Sequence, residues 1–240
     1  AVTTSAGSKR IALSVVELAT GRSTPVANYD DADVGEFEWV NDERLVYSLE
    51  DRRNAIGQQR FFTGLFSVMA DGSDPRQLIA LQRDIVFVRR VGREPLSVFH
   101  ELLSVPSTGG NEVVVGRWRY DGRYNPVEVT PMLLDTSTQR IRSLDIGGLG
   151  DVLGWLFDRK GEPRLATTLS GGTMQYHWRT PGETTWKKIA EFPRLDAPFT
   201  PRFVDTDGQL FVSTPSGAAG ESELRRFDFA TGKPQAQALV

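Results

Sequence analysis

The segment that decides the fold is Phe37-Glu38-Trp39-Val40-Asn41-Asp42-Glu43-Arg44-Leu45-Val46-Tyr47. Aromatic and aliphatic residues stand on both sides of a short polar stretch, which is typical of two β-strands joined by a tight turn. Residues 152–166 and 201–212 repeat this order of an aromatic strand, an Asp-containing turn and a second strand. The hairpin is therefore a repeated unit of the chain.

Turn residues separate short apolar runs along the whole sequence. The same small unit occurs near both ends of the chain, around Thr20 and Thr231: a strand, the turn Ala-Thr-Gly and a second strand. Comparable turns lie at 70–75, 135–139 and 180–184, so turns recur at a spacing of roughly 45 to 65 residues. Repetition on this scale, with four strands per unit, is typical of a β-propeller, because stacked sheets cover each other's faces.

The sequence thus predicts an all-β chain of β-propeller blades, each a four-stranded antiparallel sheet. We expect about four to five blades here. A β-sandwich is the alternative, but it rarely repeats its turn chemistry at this period. Trp39, Trp155 and Phe203 are expected to fill the layers between blades. Residues 9–26 resemble the outer half of a further blade, and residues 51–60 a loop or one helical turn.

One strand shows a particularly clear alternation of side chains. Met174, Tyr176 and Trp178 fall on one face of a strand, whereas Gln175 and His177 fall on the other. This pattern predicts a strand whose apolar face packs against a neighbouring layer.

Composition limits the classes of function. The net charge of -3 argues against nucleic acid as the main partner. No apolar run approaches the ~20 residues of a membrane span, and the absence of cysteine excludes disulfides and thiolate metal sites. Residues 1–8 lack an initiator Met and an apolar signal core, so we expect a processed or disordered end. Residues 9–240 form the predicted propeller segment.

Catalytic motifs are incomplete throughout. Residues 168–172 lack the first glycine of a G-x-S-x-G nucleophile elbow, and residues 147–150 fail the G-x-G-x-x-G pattern of a phosphate loop. His100 and His177 have no motif partner, and the basic stretch 89–93 is interpreted as a solvated loop that could contact a carboxylate or another domain. We predict no catalytic, cofactor-binding or metal-binding residue, and no cofactor.

A family resemblance emerges from the repeated blocks. Residues 39–47 resemble the W-x-N/D-D-x-R-L-V-Y pattern in the blade strands of bacterial prolyl oligopeptidase family serine peptidases. Residues 64–73, 155–164, 186–189 and 224–228 resemble the same propellers. The resemblance implies that these blades are part of a larger, N-terminal seven- or eight-bladed propeller. In the family, that propeller limits access of short peptides to a C-terminal α/β-hydrolase domain. That domain, with its Ser-Asp-His triad, has no counterpart in this sequence, so we expect a fragment of a larger peptidase.

Three functions remain open on this basis. The first is the non-catalytic, access-limiting propeller segment of such a peptidase, whose partners would be the hydrolase domain and short peptides. The second is a stand-alone β-propeller interaction module. The third is a propeller enzyme, such as a glycosidase or a lactonase, with acidic residues or a metal at the central channel. A periplasmic or secreted location is slightly favoured over a cytoplasmic one.

Overall fold

The computed structural model describes residues 1–4, 10–52, 63–81, 93–216 and 220–239. In these ranges the chain forms nineteen strands. They are β1 (Val2–Thr4), β2 (Ala12–Val16), β3 (Ser23–Ala27), β4 (Asp33–Trp39), β5 (Arg44–Glu50), β6 (Leu65–Met69), β7 (Arg76–Ile79), β8 (His100–Ser104), β9 (Glu112–Tyr120), β10 (Pro126–Asp135), β11 (Ile141–Ser143), β12 (Val152–Phe157), β13 (Pro163–Ser170), β14 (Thr173–Trp178), β15 (Lys187–Pro193), β16 (Thr200–Val204), β17 (Leu210–Pro215), β18 (Ser222–Asp228) and β19 (Lys233–Pro234).

These strands form five antiparallel sheets in the described ranges, numbered 1 to 5 in chain order. Sheet 1 has the order β1-β2-β3, and each of the other four sheets takes four consecutive strands in chain order. A four-stranded meander is the blade of a β-propeller. The prediction of an all-β chain with four to five propeller blades is therefore confirmed. None of the described segments is a helix long and apolar enough to cross a membrane.

The chain divides into two compact units, and the first comprises residues 1–117 and 132–143. In this unit sheet 2 has a core on each of its faces. Leu45 and Phe66 pack with Leu13 of sheet 1, whereas Val46 packs with Val113 of sheet 3. Neighbouring residues of β5 thus pack into the cores on opposite faces of sheet 2, because side chains alternate along a strand.

The second unit comprises residues 118–131 and 144–240, and its main core lies between sheets 4 and 5. Tyr176 and Trp178 of β14 lie in this core with Leu210 and Phe227 of sheet 5, and Met174 packs against it. The predicted apolar face of β14 is therefore confirmed.

The two Ala-Thr-Gly turns share one geometry. Gly21 and Gly232 have φ angles of 71° and 69°, and each amide donates to the carbonyl oxygen four residues earlier, at 2.8 Å. The hydroxyl of each preceding threonine donates to an acidic side chain, Glu17 or Asp228. Glycine is favoured at this position because it adopts a positive φ without steric cost.

A third copy of this turn uses glutamine in place of glycine. Gln139 has a φ of 57°, and its amide donates to the Asp135 carbonyl at 2.8 Å. Its side chain is buried, donates to the Gln77 carbonyl at 2.9 Å and accepts from the Arg93 amide at 2.9 Å. These two hydrogen bonds offset a backbone conformation that costs a non-glycine residue of the order of 1 kcal/mol.

The prediction that Trp39 and Phe203 fill layers between blades is wrong. Trp39 is the last residue of β4 and remains 38% exposed, and Phe203 is 43% exposed. Phe203 stacks on Phe211, on the face of sheet 5 opposite to the core residue Leu210. Trp155 is half-buried and donates its indole Nε1–H to the Val129 carbonyl of β10 at 2.7 Å, so it does lie between neighbouring sheets.

Two ranges singled out in the sequence need separate mention. Val2–Thr4, inside the range 1–8, forms β1 and pairs with β2, so sheet 1 contains a third strand beside the expected β2–β3 pair. Most of the range 51–60 lies outside the described residues, as does residue 9.

Candidate functional site

The three repeated hairpins are closed by the same side-chain device. Asn41, Asp158 and Asp205 each stand in the turn that joins the first and second strands of a sheet. In each turn one side-chain oxygen accepts hydrogen bonds from two main-chain amides further along, at 2.8–3.0 Å. Asn and Asp are favoured in turns for this reason. The polar residues of the repeated motif therefore close hairpins.

A second shared feature is a long polar side chain at the start of the second strand in the same hairpins. The residue just before the buried leucine is Arg44, Arg164 or Gln209, and each side chain reaches either the end of the third strand or the connection that follows it. The groups reached there are the Asp74 carboxylate, the Thr180 carbonyl and the Phe227 carbonyl. The Arg-Leu pair of the motif thus ties two turns of one sheet together.

In sheet 2 this contact between Arg44 and the third connection is ionic. Arg44 is 5% exposed and donates to Asp74 at 2.6 Å and to the Ser67 hydroxyl at 3.3 Å. Arg76 donates to the same carboxylate at 3.0 Å. Burial would raise the pKa of Asp74, but hydrogen bonds from Arg76 and Arg44 outweigh this effect and lower that pKa. Asp74 is therefore ionised at neutral pH.

A second buried ionic group ties the strand ends of sheets 1 and 2. The Arg10 guanidinium contacts Asp33 at 3.0 Å and Asp51 at 2.9 Å. Asp33 also accepts hydrogen bonds from the main-chain amides of Ile11 and Arg52, at 2.8 Å and 3.2 Å. Burial would raise the pKa of Asp33, but these donors lower it. Because both carboxylates are engaged by structural donors, this group stabilises the fold.

Sheet 4 has a buried arginine in its third connection. Arg179 is 3% exposed and donates to the carbonyl groups of Pro163 and Asp145, each at 3.1 Å. The guanidinium lies 5.2 Å from the centre of the Trp186 ring, in a cation–π contact. Burial lowers its pKa, although an arginine keeps its charge at neutral pH. Arg179 fixes the 144–151 connection onto sheet 4.

Neither histidine has the surroundings of a general base. His100 Nδ1 lies 3.1 Å from the Ser97 hydroxyl and 3.0 Å from the Ser97 carbonyl. His177 Nε2 lies 3.1 Å from the Thr168 hydroxyl. Burial lowers the pKa of both imidazoles, so both are neutral at pH 7. No acidic side chain contacts either ring in the described part of the chain.

The two incomplete motifs take part in connections. In the range 168–172, Gly171 and Gly172 form the β13–β14 turn with φ angles of 57° and 84°. In the range 147–150, Gly147 has a φ of 64°, and an added Cβ would lie 2.7 Å from the Thr184 carbonyl. Close backbone packing therefore requires this glycine.

The basic stretch 89–93 lies outside the described residues except for Arg93. The described residues contain no group of three or more His, Asp or Glu side chains placed to hold a metal ion. The expectation that no residue here is catalytic or cofactor-binding stays a prediction.

One exposed cationic and aromatic surface of the described residues is not predicted from the sequence. It is the end of the β9–β10 hairpin, residues 118–128, hereafter the β9–β10 tip. Trp118 and Tyr120 make a ring contact at 6.4 Å, whereas Arg119 points to the other face and is 58% exposed. Arg123 is exposed and Tyr124 is 82% exposed. The alternation of Trp and Tyr with Arg at 118–124 was the available signal.

The charges near the β9–β10 tip are partly paired. Arg119 contacts Glu128 at 2.9 Å and Asp151 at 3.1 Å. The guanidinium of Arg123 makes no hydrogen bond or ion pair with any described residue. A cation on an exposed turn beside an exposed tyrosine is suited to contact with another molecule.

Comparison with known proteins finds only distant similarity to solved structures. Neither a protein-family model nor a curated protein matches the chain. Solved structures similar to it include TolB from Acinetobacter baumannii, at 13% identity and a TM-score of 0.46, over 94% of this chain and 53% of that one. Oligogalacturonate lyase in complex with manganese has 13% identity and a TM-score of 0.49, over 93% and 58%. Pyrococcus horikoshii acylaminoacyl peptidase has 14% identity and a TM-score of 0.38, over 94% and 41%.

The chain spans about half the length of the first two of these structures. Its own meander sheets define the class of protein as one built from β-propeller blades.

Proposed function

We propose that this chain is the non-catalytic propeller segment of a prolyl oligopeptidase family serine peptidase. In that role its blades limit and select the access of short peptides to a C-terminal α/β-hydrolase domain of the same protein. A periplasmic or secreted location fits this proposal. The fold itself establishes only a propeller module, so the family and the gating role come from the sequence resemblance.

The observation that carries the proposal is the shared construction of the motif hairpins. The Asn41 turn and the Arg44-Leu45 pair, which carry the resemblance, close the first hairpin of sheet 2 and connect it to the third turn. Sheets 4 and 5 repeat both devices. The motif is therefore a blade-forming motif, and it occurs in the part of the peptidase that the resemblance assigns to the propeller.

The proposal is tested on the protein as its gene encodes it. We expect an open reading frame with a G-x-S-x-G elbow within a few hundred residues after residue 240. We also expect the natural protein to react with a fluorophosphonate probe, which labels activated serines. Residues 1–240 expressed alone serve as the matched control and should remain unlabelled.

The gating role has its own readout. The labelled protein should cleave short peptides and leave an unfolded protein of the same local sequence intact, because a propeller opening excludes long chains. A natural reading frame that ends near residue 240, or a natural protein that the probe does not label, would refute the proposal.

The second candidate is a stand-alone β-propeller interaction module, and the exposed β9–β10 tip favours it. A natural stop near residue 240, together with a partner that copurifies with the intact chain, would support this function over the first.

A further inference from the structure

The turn at the β9–β10 tip is closed by the same hydrogen-bond pattern as the Asp158 and Asp205 turns. Asp121 Oδ1 accepts the amides of Arg123 and Asn125, at 2.8 Å and 2.9 Å, and Asp121 Oδ2 accepts the Asn125 side-chain amide at 3.0 Å. Two main-chain hydrogen bonds close the same turn, at 2.9 Å and 3.0 Å. The Asn125 and Arg123 donors lower the pKa of Asp121, so the turn is fixed at neutral pH.

This rigid turn presents two side chains to solvent. Arg123 and Tyr124 occupy its centre, and Tyr124 has a φ of 61°. Such a conformation is unfavourable for a bulky residue, and the hydrogen bonds to Asp121 maintain it. Because the backbone of this turn is fixed, a partner that contacts Arg123 and Tyr124 orders little main chain on binding.

The surrounding charges decide what kind of ligand the turn can accept. Arg119 is compensated by Glu128 and Asp151, and Asp121 is occupied by the turn. Arg123 is therefore the one guanidinium of the β9–β10 tip without an acidic contact among the described residues. Three carboxylates nearby disfavour a polyphosphate or a run of acidic residues, whereas one carboxylate can pair with Arg123.

The neighbouring aromatic surface defines the rest of the ligand. The ring of Tyr124, next to Arg123 in the turn, is the exposed apolar contact area. Aromatic residues and arginine are enriched in protein interfaces, where an apolar body and a polar end act together.

We propose that the β9–β10 tip is a docking surface for a segment of a protein partner that places one Asp or Glu side chain beside an apolar residue. The carboxylate pairs with Arg123, and the apolar side chain packs on Tyr124. This inference rests on the second unit alone and is independent of the peptidase proposal.

The test measures the affinity of the intact chain for a defined probe by fluorescence polarisation. The probe is a labelled peptide with one central Glu flanked by Leu and Phe and with blocked termini. A second peptide carries Gln in place of Glu. We expect the Glu peptide to bind about tenfold more tightly, since a charge-assisted pair is replaced by a neutral contact.

Three variants separate binding from folding. Arg123→Glu should weaken binding of the Glu peptide by about tenfold or more. Tyr124→Gly should weaken it about fivefold while keeping the turn, because glycine adopts a positive φ readily. Arg159→Glu is the matched control, since Arg159 is an exposed arginine in the comparable turn closed by Asp158, and it should leave the affinity unchanged.

The proposal is overturned if the Gln peptide binds as tightly as the Glu peptide, or if Arg123→Glu and Tyr124→Gly bind the Glu peptide like the wild type. Failure of the Glu peptide to bind at all has the same consequence. A single-stranded oligothymidylate that binds more tightly than the Glu peptide would assign the surface to nucleic acid and also overturn the proposal.

Discussion

The ionic tie of sheet 2 can be tested by the substitution Asp74→Asn, which removes one charge and almost no volume. Asp74 has a φ of 48°, a conformation that Asn tolerates as well as Asp, so the backbone strain is unchanged. The substitution leaves the buried Arg44 and the partly buried Arg76 without their shared carboxylate. The change in stability therefore reports the ionic contact.

The expected magnitude follows from the contacts and their exposure. Hydrogen bonds to charged groups contribute about 1.5–3 kcal/mol. Asp74 is 32% exposed, and Asn retains one acceptor oxygen, so we expect a loss of about 1–2 kcal/mol in the free energy of unfolding. For a chain of this length, each kcal/mol corresponds to about 2–4 °C in Tm.

Urea unfolding at pH 7, followed by circular dichroism, measures this loss. Asp71→Asn is the matched control in the same turn, because Asp71 bonds only locally to Ser73 in the described structure, and its loss should be smaller. In an Arg44→Met background, Asp74→Asn should cost less, since the two sites share one contact.

The dependence on pH gives a further check. The pKa of Asp74 in the folded chain is lowered from its ordinary value of 3.8, so its charge stabilises the fold above that pH. The difference between wild type and Asp74→Asn should be constant from pH 8 to about pH 5 and should shrink as the pH falls below about 4. An Asp74→Asn chain as stable as the wild type at pH 7, or an undiminished effect in the Arg44→Met background, would refute the reasoning.

Two further predictions concern a turn and a histidine. Gly147→Ala should lower the free energy of unfolding by more than about 2 kcal/mol, because the added Cβ clashes with its neighbours and alanine is strained at a positive φ. Gly148→Ala should lower it by only about 1 kcal/mol, because its Cβ meets no atom within 4 Å. Equal losses for the two variants in urea unfolding would contradict the geometry. The pKa of His177 is lowered by burial and by Lys188, so wild type should lose stability relative to His177→Gln as the pH falls below 6.5, by at most about 1.4 kcal/mol per pH unit. A difference that does not change between pH 7.5 and 5.5 would exclude this effect.

The sequence allowed much of the fold to be predicted because blades are local structures. Each hairpin of a meander joins neighbouring segments, so turn residues such as Asn41 and Gly232 record its position directly. The apolar face of β14 could be predicted for the same reason, since alternation is a property of one strand.

The burial of single aromatic residues could not be predicted in this way. Trp39, Phe203 and Trp155 all lie in strands. Of these three, only Trp155 contacts a neighbouring sheet, through its hydrogen bond to Val129. Which face of a strand another sheet covers is decided by packing between sheets, and no pattern within one strand contains that information.

The candidate surface also depended on contacts between distant residues. Arg119 and Arg123 each precede a tyrosine in the sequence. Asp151, thirty-two positions after Arg119, helps to compensate Arg119, whereas Arg123 has no acidic contact among the described residues.

The segment around Trp39 and Asn41 by itself determined that this chain is built from repeated β-hairpins, because turn chemistry and side-chain alternation act between near neighbours in the chain. The tertiary structure alone decided that Arg44 is buried and paired with Asp74, and that Arg119 rather than Arg123 is paired with carboxylates at the β9–β10 tip. The physical reason is that burial and charge compensation are set by groups brought together across sheets and loops, at separations that no local pattern in the sequence records.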